Sequence, residues 1–432
     1  MYFLYNVLLS ISLLFLIPYY GIKIFFTGKY RKSIRPKLGL VSSDVFKAMT
    51  GSPRIWLHAV SVGEVTAAAP IINAIRAQLP AACIVLSTST ETGHEMAKTL
   101  IKEVTSLIYF PLDFPFIVRK MIGSVHPDIF VAVETEIWPN FISAARKRKI
   151  RIVLANGRIS PRSFQGYYAT RFFWKKVLGL FDFAAVISET DAKRLCDLGM
   201  QSDKIKVLGN SKYDSLASRT DPQLHREMAE KLNVPDGVPV FVAGSTHPGE
   251  EEIILNVYRQ LLNAEPNILL IIAPRHIERG AEVVQAANMA GFNDTIRLSE
   301  ISANRTRLNE RIIIIDKIGE LFKTYSLATI VYCGGSLVPR GGQNILEAAA
   351  WGKTVFFGPH MDDFLNEKKL LEECGVGITV HNEKELLKEA LDCISNPQKR
   401  ELNAQAARKA ILANRGASMR YADLIISVLR GC

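Results

Sequence analysis

The residues of this 432-residue chain best placed to do chemistry follow short apolar runs. Glu64 stands in "RIWLHAVSVGEVTAAAPIINAI", one short turn after the run Ile55–Ala59. It opens a helical pattern whose apolar face is Val65, Ala68, Ile71, Ile72 and Ile75. The aligned peptide dipoles of a helix start stabilise a carboxylate, so Glu64 is expected to be ionised and able to accept a proton. Standing alone, it would read as an ordinary helix-start charge. "VAVETEIWPN" ends another run with Glu134 and Glu136, and "VLGNSKYD" ends a third with Lys212. A second group lies in the later half. "VAGSTHPGEE" puts Gly244, Ser245 and Thr246 before a helix start, and "IIAPRHIER" follows a run with Arg275 and His276. "DKIGELFKTY" places Gly319 and Glu320 at a loop-to-helix join. "YCGGSLVPRGGQNILEAAAWGK" is a glycine-rich loop entering a helix near Asn344. Its backbone N–H groups are expected to hold a phosphate, with Glu347 one turn in and able to reach ribose hydroxyls.

Parallel strands would position these residues. Ile55–Ala59, Cys83–Ser87, Ile129–Val133, Arg151–Ala155, Ala184–Ile187 and Ile205–Leu208 form one series of apolar runs. Val240–Ala243, Ile268–Ala273, Arg311–Asp316, Thr329–Cys333 and Thr354–Phe357 form a second. Continuous rather than alternating apolarity marks strands buried on both faces. Helical patterns such as Val65–Gln78, Glu250–Asn263 and Asn344–Trp351 lie between them. Repeated βα units in two series predict two doubly wound α/β domains, 41–220 and 240–412, joined by a Pro-punctuated linker at 221–239. Residues 413–432 are expected to form a C-terminal helix. In such sheets ligands bind beyond the carboxyl ends of the strands, where every residue named above falls.

The formal net charge is +11, which suits nucleic acid, an anionic membrane or an acidic substrate. The first 22 residues carry no charged side chain. As a helix they would span about 33 Å, enough for a hydrocarbon core of roughly 30 Å. Tyr2, Tyr5, Tyr19 and Tyr20 fall near its two ends, where interfacial aromatics sit. Residues 23–40 then bring Lys23, Lys29, Arg31, Lys32, Arg35 and Lys37 without an acid. Hence the expectation of a single-pass transmembrane anchor over 1–22, a basic juxtamembrane segment over 23–40 and catalytic domains on the cytoplasmic side of the membrane. With the excess charge beside the anchor, an anionic membrane surface rather than nucleic acid is the expected partner. The six cysteines include no CxxC pair and no zinc spacing.

The ordered motifs "HAVSVGE", "ETEIWPN", "GNSKYD", "GSTHPGEE", "PRHIER", "GELFKTY", "GGSLVPRGGQNILEAAAWGK" and "GPHMDDF" resemble the 3-deoxy-D-manno-octulosonic acid (Kdo) transferases of lipopolysaccharide assembly. The resemblance covers nearly the whole chain. It implies a GT-B glycosyltransferase architecture, two Rossmann-like domains facing across a cleft, and inverting transfer of Kdo from CMP-Kdo to a lipid A precursor without metal or other cofactor. It places the family's base on Glu64 and its transition-state stabilisers on Glu134 and Lys212. It places the CMP contacts on Pro274 and Arg275, on Ile318, Gly319 and Glu320, and on Asn344, Ile345, Leu346 and Glu347. It fixes no oligomeric state. The chain departs from the family pattern at Ala348 and Lys353, where proline is frequent, and at Asp363, where asparagine is common.

The chemistry is consistent from below. A metal-dependent diphosphate-sugar site often uses a DxD motif, and none occurs. Helix dipoles, Arg275 and Lys212 could carry the leaving phosphate's charge, while Lys212 could instead pair with the Kdo carboxylate. A sugar hydroxyl needs proton removal as it attacks, a role Glu64 suits. Two other readings share parts of the pattern. Another GT-B enzyme, such as a lipid A disaccharide synthase or a nucleotide-sugar epimerase, would lack the "HAVSVGE" and "ETEIWP" pair. A membrane-tethered nucleotide-binding regulator would keep the later loops and need no Glu64.

Overall fold

The computed structural model describes residues 2–12, 14, 31–302 and 305–431. Residues up to Ser215, together with those from Asn414 onward, form one compact unit, and Leu216–Ala413 form another.

The first unit is built on seven parallel strands: β1 (Arg54–His58), β2 (Cys83–Thr88), β3 (Ser106–Tyr109), β4 (Ile129–Val133), β5 (Arg151–Gly157), β6 (Phe183–Val186) and β7 (Ile205–Val207). Their spatial order is β3-β2-β1-β4-β5-β6-β7. Successive side chains point to opposite faces. Trp56, Val85, Phe130 and Ile152 therefore enter one core, while Ile55, Leu57, Ile84, Leu86, Ile129 and Val131 enter the other. Two covered faces explain why these strands read as unbroken apolar runs. Strand order reverses between β1 and β4, so the loops bearing Glu64 and Glu134 diverge from a topological switch point, where doubly wound sheets bind ligands. The last helix, Ala417–Arg430, closes this unit. Its Tyr421, Ala422 and Ile425 share a core with Ala68, Ile71 and Ile75 of helix Val62–Gln78.

The second unit repeats the plan with β8 (Val240–Thr246), β9 (Leu269–Pro274), β10 (Thr295–Arg297), β11 (Ile312–Ile314), β12 (Ile330–Cys333), β13 (Val355–Phe357) and β14 (Gly377–Thr379). The order is β10-β11-β9-β8-β12-β13-β14, all parallel, with the switch point between β8 and β12. All eleven expected strands are present. β3, β10 and β14 were not expected. Each is an edge or near-edge strand of three or four residues and only partly buried, too short and too mixed to stand out. The helix expected from Asn344 is shorter, Leu346–Ala350. Asn344 stays outside it because its side chain accepts from the Leu346 N–H at 3.2 Å, a local bond that competes with helix.

The expected anchor over 1–22 and basic segment over 23–40 fall partly outside the described residues. Of these, residues 2–12 are helical and Arg31–Lys37 is a short helix. Among the described residues no helix is long and apolar enough to cross a membrane.

Candidate active site

In the first unit, the chain leaves β1 and enters helix Val62–Gln78 within four residues, which puts Glu64 in the first helical turn. The carboxylate folds back over the turn. Oε2 accepts the Val60 N–H at 2.5 Å, and Oε1 accepts the Ser61 hydroxyl at 3.1 Å. The helix-start role is thus real, but it does not leave the group ionised. Burial raises the Glu64 carboxyl to about 8, with Glu136 and then Glu134 adding to the rise, against the lowering by its two hydrogen bonds. This corrects the expectation from the helix dipole: desolvation and two like charges outweigh it. Glu136 is raised as well, by burial first and by Glu134 last, despite the Trp138 indole N–H it accepts at 2.9 Å. Interacting carboxyls titrate as a pair, and the Glu64–Glu136 pair retains a proton at neutral pH.

Glu134 begins the loop after β4 with a left-handed φ of 62°. For a residue with a Cβ this costs ~1 kcal/mol or more. Its carboxylate lies 2.6 Å from the Lys212 ammonium. His58 at the end of β1 is fully buried, stacked on Phe110 at 3.7 Å, and burial depresses it to about 3. Its Nδ1 sits 3.0 Å from the Ser87 carbonyl, which only accepts, so Nδ1 carries the proton. A neutral ring 3.9 Å from Glu136 is no ion pair.

Lys212 opens helix Lys212–Arg219, and the loop before it is braced from three directions. Asn156, at a left-handed φ of 53° in β5, accepts the Ser211 N–H at 2.9 Å. The Ser211 hydroxyl donates to the Ala67 carbonyl at 2.8 Å. From the last helix, Gly416 N–H and Ser418 N–H donate to the two oxygens of Asp214 at 2.6 and 2.7 Å. Tyr421 Oη donates to the Gly209 carbonyl at 2.7 Å, and Arg420 to that of Leu208. The sequence pattern missed Asn156, Arg420 and Tyr421. Asp214 lay in a quoted motif, but nothing local reveals a partner some two hundred residues away.

In the second unit, the residues expected to contact nucleotide end β9 and begin the loops beyond β11 and β12. Pro274 is buried and Arg275 exposed directly after β9. Ile318 is exposed beside Gly319, and Glu320 pairs with Lys231 at 2.9 Å and with Lys323 at 3.7 Å. Asn344 donates from Nδ2 to Glu347 at 3.3 Å. Ile345 and Leu346, both buried, lead into the short helix. The Arg219 guanidinium lies 4.1 Å over the Phe322 ring, and its charge bears on Glu347.

The head of the glycine-rich loop is already engaged within the chain. Its N–H groups at Gly335, Ser336 and Leu337 do not await a phosphate: they donate to the fully buried carboxylate of Glu250 at 2.7 to 3.1 Å. His247 N–H and the Tyr332 hydroxyl also donate to it. The chain supplies its own anion to this turn. The loop sits so close to β8 that a Cβ on Gly334 would lie 2.5 Å from the Ser245 carbonyl oxygen, so glycine is required there. Further along, Asp363 fits against Gly341, whose φ is +84° and whose carbonyl accepts the Asp363 N–H at 3.0 Å. Positive charge gathers instead around His247. Burial lowers its pKa, Glu250 opposes this, and Arg340, His276 and Arg275 lower it further. His247 and Arg340 were in quoted motifs, but only the fold brings them beside Arg275. Glu251 is structural, bound to Thr246 Oγ1 at 2.9 Å and Arg279 at 2.8 Å. Among the described residues no group of three His, Cys, Asp or Glu side chains could hold a metal ion.

Two parallel seven-stranded sheets with charged residues at their carboxyl ends define a GT-B-like α/β fold. A putative UDP-N-acetylglucosamine 2-epimerase from Listeria monocytogenes shares this fold, with a TM-score of 0.63 over 88% of this chain and 96% of that one at 14% identity. A glycosyltransferase from Rickettsia africae matches with a TM-score of 0.58 over 88% and 98% at 16% identity. Residues 32–215 match the family model described as 3-deoxy-D-manno-octulosonic-acid transferase. The 3-deoxy-D-manno-octulosonic acid transferase of Haemophilus influenzae is 32% identical over 98% of this chain and 97% of its own length. The chain belongs to the Kdo transferase family and is a glycosyltransferase.

Proposed function

We propose that this enzyme moves Kdo from CMP-Kdo to a sugar hydroxyl of a lipid A precursor, with inversion and without a metal. The supporting observation is the meeting of Glu64, Glu134, Glu136 and Lys212 beyond β1, β4 and β7 in a chain of this family. The acceptor oxygen attacks the anomeric carbon, Glu64 takes its proton, and the bond to the phosphate oxygen breaks as CMP leaves with the electron pair. Because the Glu64–Glu136 pair holds a proton at neutral pH, that proton must leave first. Glu134 and Lys212 steady the developing charge. In the second unit Arg275, aided by Arg340 and His247, receives the phosphate. Pro274, Ile318, Gly319 and Glu320, with Asn344, Ile345, Leu346 and Glu347, line the rest of the nucleotide site. Residues 1–22 and the basic stretch after them keep the enzyme at the cytoplasmic face of the inner membrane, where an acylated acceptor lies. Mass spectrometry of the lipid formed from purified protein, CMP-Kdo and a tetraacyl lipid A precursor tests this. The expected product is heavier by one or more Kdo residues. An unchanged lipid with intact CMP-Kdo refutes the reading.

A further inference from the structure

The hydropathy of residues 1–22 suggests one crossing of the membrane, but the described contacts point to a different placement. Tyr2 and Tyr5 rest on the ring of Phe173 at 5.7 and 5.8 Å. The Tyr5 hydroxyl donates to Asp113 at 2.9 Å, and Asn6 accepts from Asn140 at 2.6 Å. Asp113 is itself fixed, accepting the N–H groups of Asn140 and Phe141 at the start of helix Pro139–Lys147. The Lys37 carbonyl accepts from the Leu112 N–H at 2.9 Å. Tyr5 and Lys37 are therefore tied to neighbouring residues of one loop. A single crossing between them would set those two ends roughly 30 Å apart on opposite sides of the hydrocarbon. Tyr5 and Lys37 lie on the same side.

The helix over residues 2–12 lies with Tyr2, Tyr5 and Asn6 against the first unit, and its other face is apolar and open. Phe3, Leu4, Leu8, Ile11 and Leu14 are 81, 60, 58, 47 and 71% exposed. At 100° per residue they fall within an arc of about 140°. Neighbouring elements carry exposed aromatics as well. Phe116 begins helix Pro115–Val125 just after Asp113, and Phe172 precedes Phe173 in helix Arg171–Leu178; they are 76 and 62% exposed. Each has exposed basic residues three and four positions on: Arg119 and Lys120, and Lys175 and Lys176. Such residues share a helix face. Neither helix contains an acid, and neither do helix Pro161–Ala169 or residues 1–43. An apolar helix face beside helices that carry exposed cations, with the one nearby carboxylate, Asp113, buried and bonded inward, fits the headgroup boundary of an anionic bilayer.

We propose that residues 2–12 and Leu14 hold the enzyme by lying in the plane of an anionic leaflet, with Phe3, Leu4, Leu8, Ile11 and Leu14 in its apolar layer, and do not cross it. The inference rests on the membrane location given under Proposed function. Its test uses the full chain in two ways. In native membranes a Tyr2→Cys/Phe173→Cys pair is scored for an intramolecular cross-link by a short bismaleimide, which spans the gap left by the two rings, against Tyr2→Cys alone. In-plane placement predicts efficient cross-linking, whereas a crossing helix puts position 2 beyond reach. Separately, binding to vesicles of 3:1 phosphatidylcholine:phosphatidylglycerol is compared with binding to phosphatidylcholine alone. The wild type is expected to prefer the anionic vesicles at least 10-fold. Phe3→Asp/Leu8→Asp/Ile11→Asp is expected to lose at least 30-fold of that binding while its thermal unfolding, that of the first unit included, stays unchanged, which shows that it is folded. Membrane-bound protein without the cross-link, or a triple variant that binds like wild type, overturns the in-plane placement. Wild-type protein that binds neither vesicle overturns the membrane location itself.

Discussion

Glu64→Gln keeps the length of the side chain and removes only its ability to carry charge. The glutamine oxygen can accept from Val60 and its amide can donate to Ser61, so the contacts now at 2.5 and 3.1 Å survive with one reversed. Their loss would cost ~1 kcal/mol each. Ionisation is the larger effect. Folding raises this carboxyl from 4.5 to about 8, so across that interval the folded protein binds a proton that the unfolded chain releases. Stability contributed by the site therefore falls as pH rises, from no penalty below 4.5 to the full penalty above about 8. For a partly buried group shared with Glu136 and screened by solvent, the penalty is ~2 kcal/mol. Glutamine does not incur it. The first unit of Glu64→Gln should melt ~4–8 °C above wild type at pH 8. The two should melt together at pH 4.5, below the folded and at the unfolded value of the carboxyl. Transfer should fall ~100-fold or more, because an amide accepts no proton. Calorimetry across pH, beside single-turnover rates at saturating CMP-Kdo and acceptor, measures both. The wild-type rate should climb with pH up to about 8 as the base form appears. Near-normal turnover by the variant would take Glu64 out of the chemistry. A melting gap that widens toward acid would refute the ionisation argument.

Three more perturbations address the groups that hold the site. Asp214→Ala releases the Gly416 and Ser418 N–H groups and loosens the Lys212 loop; kcat should drop ~10-fold or more with CMP affinity unchanged. In a Lys212→Met background the same change should cost no further rate, and an additive loss would show that Asp214 acts otherwise. Arg275→Ala and Glu347→Ala should each weaken CMP binding by calorimetry ~10-fold or more, and unchanged affinity in both would place the nucleotide elsewhere. Glu250→Ala leaves four backbone N–H groups and a tyrosine hydroxyl without their acceptor, and should lower the stability of the second unit by ~3 kcal/mol or more in thermal unfolding.

What could be read from the sequence follows from what is local. Runs such as Ile129–Val133 are buried on both faces, and their uniform apolarity announces a parallel strand. β10 and β14, three residues each at the sheet edges, carry no such mark. Strand ends locate Glu64, Glu134 and Lys212, since the turn after a strand is visible in the pattern. The protonation of Glu64 is not visible there. It depends on Glu136 and Glu134, which a different strand delivers, and on burial by elements distant in sequence. The carboxylate that holds the head of the glycine-rich loop is invisible for the same reason, because Glu250 comes from the helix after β8.

Closure of the first unit by helix Ala417–Arg430 has a consequence for synthesis. Asp214 and its partner Gly416 are 202 residues apart. At ~5–20 residues per second, the ribosome takes about 10–40 s to pass from one to the other. Throughout that interval the seven strands of the first sheet exist, but the flank of helix Val62–Gln78 that Tyr421, Ala422 and Ile425 will cover remains bare. Domain-by-domain folding from the amino end is therefore closed to this chain. The second unit can finish first, and the first closes only when helix Ala417–Arg430 arrives. A nascent chain stalled before Ala417 would present an adhesive apolar strip.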